Sequence, residues 1–154
     1  MSQRSAMFET FTLERIYDST PAEVFAAFAD QNLKARWFAG PSEWRREQGP
    51  FEFRIGGHER VVSRPPTGPA HTFDALYKDI VKDERIVYTY TMHMDDTLTS
   101  VSVATFEFSR APGGTRLKLT EQGSFLDGHN PPGQREAGTR ALLEALARSL
   151  RPVS

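Results

Sequence analysis

The chain has 154 residues, a length that suits one domain and lets roughly 70% of the unfolded surface be buried, so no disulfide or metal staple is required. Its 19 Lys plus Arg stand against 20 Asp plus Glu, which excludes the basic excess of a nucleic-acid surface. It contains no cysteine, so disulfides, a thiol nucleophile and thiolate metal sites are excluded, and a reducing compartment fits.

The opening MSQRSAMFETF lacks the long apolar run of a signal peptide, and no segment approaches the roughly eighteen apolar residues of a membrane span. A cytoplasmic protein is expected. FTLERIY, residues 11–17, alternates as a strand, with Phe11, Leu13, Arg15 and Tyr17 on one face. Thr20-Pro21-Ala22-Glu23 then reads as a helix start: Thr20 as N-cap, Pro21 at the first helical position, Glu23 closing a capping box. Val24, Phe25 and Phe28 follow at helical spacing. Asp30 can cap a second short helix carrying Leu33, Trp37 and Phe38 and ended by Gly40-Pro41.

A run of strands comes next. Phe51, Phe53 and Ile55 alternate, Gly56-Gly57 makes a turn or bulge, and His58 to Ser63 returns. The proline-rich stretch from Arg64 to Pro69 is a loop. Strands are predicted at His71 to Val81, Arg85 to Met94, Leu98 to Arg110 and Thr115 to Gly123, joined by short polar or Gly-containing connections that imply antiparallel hairpins. Phe125 to Gly133 reads as a loop. Residues 135–150 form a helix with Gly138, Leu142, Leu146 and Ser149 near one stripe and Leu143, Ala147 and Leu150 flanking it. The only surface left for that apolar face is the sheet.

The expected fold is therefore α+β: a curved antiparallel sheet of six to seven strands wrapped around a long C-terminal helix, with two short helices after the first strand. One domain over 1–154, with its core at about 8–150, is expected. The eleven Phe, four Tyr and two Trp either fill a β-rich core or line a ligand cavity between sheet and helix.

The pieces LERIYDSTPAEVFAAFAD, LKARWF, FEFRIGG, YKDIVKDERIVYTYT and GGTRLKLTEQGSF, followed by the final helix, occur in an order that resembles the START-like helix-grip (SRPBCC) superfamily. Within it the chain looks like the branch related to the activator of the heat-shock chaperone ATPase, the Aha type. The resemblance covers roughly residues 8 to 150. It implies the helix-grip fold and a hydrophobic cavity, but no single activity, because this fold hosts carriers, receptors, cyclases and co-chaperone domains. Two positions depart from the pattern: members often carry two tryptophans where this chain has Trp37-Phe38, and many carry an aromatic where Thr139 follows Gly138. Trp37 and Phe38 either plug one end of the sheet or stand at a cavity mouth.

Among groups able to carry chemistry, His58, His71, His93 and His129 show no metal-ligand spacing, so no metal site and no cofactor are expected. His58 follows the Gly-Gly turn and points inward with Arg60 or outward. His93 faces outside if Tyr88, Tyr90 and Met92 face inside. Glu121 shares a face with Leu117 and Leu119, where a carboxylate is costly unless paired. Either it pairs with Arg15 or Arg54 inside, or it reaches water at a strand end. Glu107 has no defined orientation from its pattern. Arg45-Arg46 and the arginines of the last helix read as a solvated face. No GxSxG elbow and no phosphate loop occur.

The expectation is a binder of a small hydrophobic or aromatic molecule, lined by Trp37, Phe38, Phe53, Tyr77, Tyr88, Tyr90, Phe106, Glu121, Leu142 and Leu146. The alternatives are a cyclase- or hydrolase-type enzyme in the same cavity, with Glu121, His58, Tyr77 or Tyr88 in acid–base roles, and an Aha-type chaperone-interaction module. No nucleic-acid partner and no membrane span are expected. Edge strands need cover, which points to a homodimer.

Overall fold

In the computed structural model, which describes residues 4–150, the chain runs β1 (Ala6–Tyr17), α1 (Pro21–Ala29), α2 (Gln31–Lys34), β2 (Arg45–Phe51), β3 (His58–Arg64), β4 (His71–Val81), β5 (Arg85–Met94), β6 (Thr97–Ala111), β7 (Gly114–Leu126) and α3 (Gln134–Ser149). The strands form one antiparallel seven-stranded sheet in the order β1-β7-β6-β5-β4-β3-β2. The helix pair α1–α2 makes the connection between the two edge strands, β1 and β2. This is the expected α+β helix-grip architecture.

Local chemistry explains the helix starts. The Thr20 hydroxyl accepts from Glu23 N at 3.2 Å, and Glu23 Oε1 accepts from Thr20 N at 2.9 Å, so the capping box is complete. Asp30 Oδ1 accepts from Asn32 N and Leu33 N at 2.9 and 3.0 Å. α2 is shorter than expected. It ends at Lys34, and Trp37 and Phe38 lie in the turn that follows. That turn buries Lys34 and leaves Leu33 half-buried, the reverse of the apolar reading.

β2 is also a correction. The strand covers Arg45–Phe51, not Phe51 to Ile55, and its sequence RREQGPF shows no apolar alternation. An edge strand pairs on one side only, so backbone bonds to β3 define it and Pro50 is tolerated. The chain leaves β2 after Phe51 and turns through Gly56-Gly57. Gly56 has φ +84°, and a Cβ on Gly57 would stand 2.0 Å from the Glu52 carbonyl oxygen, so both positions demand glycine.

β7 runs on to Leu126, beyond the expected end at Gly123. On α3 the buried residues are Thr139, Leu143 and Leu146, with Leu142 and Leu150 partly buried, while Gly138 is exposed. The stripe is thus rotated by about one residue, and in this roll Tyr17 of β1 donates its hydroxyl to the Leu143 carbonyl at 3.0 Å.

Candidate functional site

Alternation along the strands puts one residue in two on the concave face. Tyr77 on β4, Tyr88 and Tyr90 on β5, Phe106 on β6 and Glu121 on β7 all lie there, each at most 6% exposed. The rings of Tyr77, Tyr88 and Tyr90 form a ladder with successive centroids 5.7 Å apart. Phe73 and Phe106 pack against Tyr88 from either side, at 5.9 and 5.6 Å. Small residues of β6, Ser100, Ser102 and Ala104, occupy the facing row and let Tyr90 reach across to β7.

That reach forms the first polar cluster. The Tyr90 hydroxyl donates to Glu121 Oε2 at 2.6 Å. Arg135, on the first turn of α3, donates to the Tyr90 hydroxyl at 2.8 Å and to Ser100 Oγ at 2.8 Å, and its guanidinium lies 3.7 Å from Glu121 Oε2. It also sits over the Tyr90 and Phe125 rings. Burial pushes the Glu121 carboxyl up from its ordinary value; the Tyr90 hydrogen bond and the Arg135 charge oppose that shift. Burial likewise raises Tyr90, with Glu121 adding to it.

Glu121 is therefore buried and does not reach water, and it pairs with an arginine. The partner is Arg135, not Arg15 or Arg54. Arg15 is engaged by Glu144 of α3 at 2.8 Å, and Arg54 lies exposed beside Glu52. Arg135 thus departs from the solvated face expected for the last helix's arginines. Its position at the helix start, over the small serines of β6, draws it inward.

The second cluster was not foreseen in the sequence. Lys34 and Glu59 are 2% and 1% exposed, with Lys34 Nζ 2.7 Å from Glu59 Oε1. The Tyr77 hydroxyl donates to the same oxygen at 2.5 Å. Lys34 Nζ lies 4.4 Å from the Phe38 ring centroid and between 5.7 and 5.9 Å from those of Phe51, Phe73 and Tyr88. Burial lowers the Lys34 ammonium's pKa, and Glu59 partly offsets this. Burial also raises Tyr77, reinforced by Glu59. Arg46, read as solvated, is half-buried on the inner side of β2, and desolvation lowers its pKa. A signal for these residues exists: Lys34, Trp37 and Phe38 share one helical face, and Glu59 alternates with the buried Val61.

Trp37 is 4% exposed, packs edge-on against Phe28 and donates its indole N–H to the Ala27 carbonyl at 3.0 Å. It plugs that end of the sheet, and Phe38 bridges it to Phe73. Phe53 touches Phe25 and Tyr77, and Leu142 and Leu146 close the α3 side. His58 lies on the convex face in a short contact with Asp74, away from the tyrosines. Glu107 is exposed on the same convex side. His71 lies tilted against Trp44, with ring centroids 5.1 Å apart, while His129 is exposed.

Two surface hollows, of about 440 and 490 Å³, lie elsewhere: one beside Arg85, Glu107 and Lys118, the other beside Arg45, Arg64 and Asp95. No candidate ligand residue lines either. Among the described residues no group of three or more potential metal ligands occurs, and no helix is long and apolar enough to cross a membrane.

Comparison with solved structures finds the same fold across nearly the whole chain. An uncharacterized protein of Rhizobium leguminosarum is 39% identical with a TM-score of 0.91, covering 97% of this chain and 98% of its own. A protein of Rhizobium loti is 42% identical, with a TM-score of 0.85 and coverages of 94% and 99%. A protein of Chromobacterium violaceum is 26% identical, with a TM-score of 0.80 and coverages of 94% and 98%. No curated protein matches. The model of one family, described as Activator of Hsp90 ATPase homolog 1-like protein, matches residues 18–151. With its capping box, tyrosine ladder and gripping helix inside that span, the chain belongs to the Activator of Hsp90 ATPase homolog 1-like family.

Proposed function

We propose that the chain binds a small aromatic or apolar molecule on the concave face, along the Tyr77–Tyr88–Tyr90 ladder and under α3. The observation that carries this is Tyr88. Its neighbours in the ladder both spend their hydroxyls on buried carboxylates, Tyr77 on Glu59 and Tyr90 on Glu121. The Tyr88 ring stands between theirs, 5.7 Å from each and 5% exposed, and its hydroxyl takes part in no hydrogen bond among the described residues. A tyrosine hydroxyl that no protein group engages, on a face walled by aromatic rings, suits orientation of a ligand's polar atom. Phe38, Phe53, Phe106, Leu142 and Leu146 supply apolar walls, with Trp37 supporting Phe38.

Thermal-shift titration against flavonoids, polyketides, sterols and fatty acids tests the reading. A ligand at about one hundred times its dissociation constant adds roughly 2.7 kcal/mol, a midpoint rise of roughly 5–10 °C at this size. Tyr88→Phe keeps the ring and removes the hydroxyl, so the rise for a polar-headed ligand is expected to fall. A flat screen overturns the reading.

The family match favours a second reading, interaction with a chaperone ATPase. Stimulation of that ATPase by the purified chain tests it, and no stimulation and no complex would remove it.

A further inference from the structure

The two buried carboxylates differ in one respect. At Glu121 no fully buried polar atom lacks a partner: Oε2 accepts from Tyr90, and Arg135 donates to Tyr90, Ser100 and Ser102. Around Glu59 that does not hold. Glu59 Oε1 receives both Lys34 and Tyr77, while Oε2 is buried and accepts from none of the described residues. Arg46 donates Nη2 to Gln48 Oε1 at 2.6 Å, yet its buried Nε–H donates to none. On the paired strands β2 and β3, Arg46 stands opposite Ser63 and Glu59 opposite Phe51, flanking the Gln48–Val61 pair, with a shift in register between Gln48 and Phe51. Their charges act on each other and on Lys34.

An unmet buried donor and an unmet buried acceptor on one aromatic-walled face call for a partner that both donates and accepts. We propose that Glu59 Oε2 and Arg46 Nε–H form the recognition site for the ligand's polar end, and that this end is a neutral carboxamide-type group. Its N–H donates to Glu59 and its C=O accepts from Arg46. The inference rests on the reading of the concave face as a ligand site. A carboxylate would satisfy Arg46 but turn a lone pair toward Glu59. An ammonium would satisfy Glu59 but face Lys34 and Arg46. A purely apolar end would leave both atoms unmet. The rings of Phe38, Phe51, Phe73 and Tyr88 around Lys34 Nζ suit an aromatic body behind the amide. Phe38, Phe51, Phe53 and Arg46 are only half-buried, so this is a side on which solvent approaches the site.

Calorimetric titration with naphthalene carboxamide, naphthalene carboxylate and methylnaphthalene tests the proposal, with circular dichroism confirming that each variant folds. The carboxamide is expected to bind roughly tenfold or more tightly than methylnaphthalene. Arg46→Met, at a half-buried edge-strand position, should abolish most of that advantage. Glu59→Gln places an N–H donor where Oε2 stands, so preference should turn toward the carboxylate. Equal binding of carboxamide and methylnaphthalene, or a carboxamide advantage that survives Arg46→Met, overturns this inference and leaves the aromatic-face reading standing. Failure of all three probes to bind overturns both. Should Glu59→Gln not fold, Arg46→Met alone decides.

Discussion

Single residues carry most of the functional information, and the two carboxylates are the clearest case. Glu121 could be read from alternation with Leu117 and Leu119, because β7 is regular through that stretch. Its partner could not, since sequence distance says nothing about which helix turn crosses a strand. Burial raises the Glu121 pKa, so its folded value lies above its unfolded value. A raised carboxyl contributes stability that is fully present below the unfolded value near 4.5 and is lost as pH rises through the folded value. Glu121→Gln should therefore remove this loss: the gap between wild type and variant in urea midpoints shifts against wild type as pH climbs above 4.5. A gap that does not change with pH would contradict the burial argument. For Lys34 and Glu59, removing one charge strands the other in a low-dielectric site. Lys34→Met is expected to cost about 3–5 kcal/mol by denaturant unfolding, and Lys34→Met with Glu59→Leu to recover much of it. Independent, additive losses would show that the pair does not couple.

At the level of elements, caps were legible because they are local. Thr20 and Glu23 form their box within four residues, and Thr20→Ala should cost about 1 kcal/mol, read from the urea midpoint. The face of α3 was less legible. An apolar stripe this broad permits more than one roll, and the contacts of α3 with Tyr17, Arg15 and the Tyr90–Glu121 pair select among them. Gly138 distinguishes the two orientations. The sequence pattern places it on the buried stripe, where an added methyl would intrude. The structure exposes it, with open space around its Cβ position. Gly138→Ala should then stabilise by about 0.5–1 kcal/mol through helix propensity. Leu143→Ala, on the face that is buried, should cost about 2–5 kcal/mol. A destabilising Gly138→Ala would restore the other roll. β2 was misplaced for a related reason: its identity rests on backbone pairing to β3, which leaves no periodic signature at a polar edge.

Across the whole molecule, one sheet joins the seven strands, and one continuous core links β1, α1, β3 to β7 and α3, from Leu13 on β1 to Leu146 on α3. Unfolding is expected as a single transition, with coincident midpoints from backbone dichroism and from tryptophan fluorescence, since Trp37 lies within the core. Separated midpoints would show that the α1–α2 plug opens apart from the sheet. The sequence by itself determined the class of fold, the hairpin order and the helix starts, because period, caps and turn chemistry act over a few residues. Tertiary structure alone decided the pairing of Glu121 with Arg135, the burial of Lys34 against Glu59 and the roll of α3. Each of these joins groups far apart in sequence, and burial fixes them only once the sheet has curved and brought its two edges and its helix to one face.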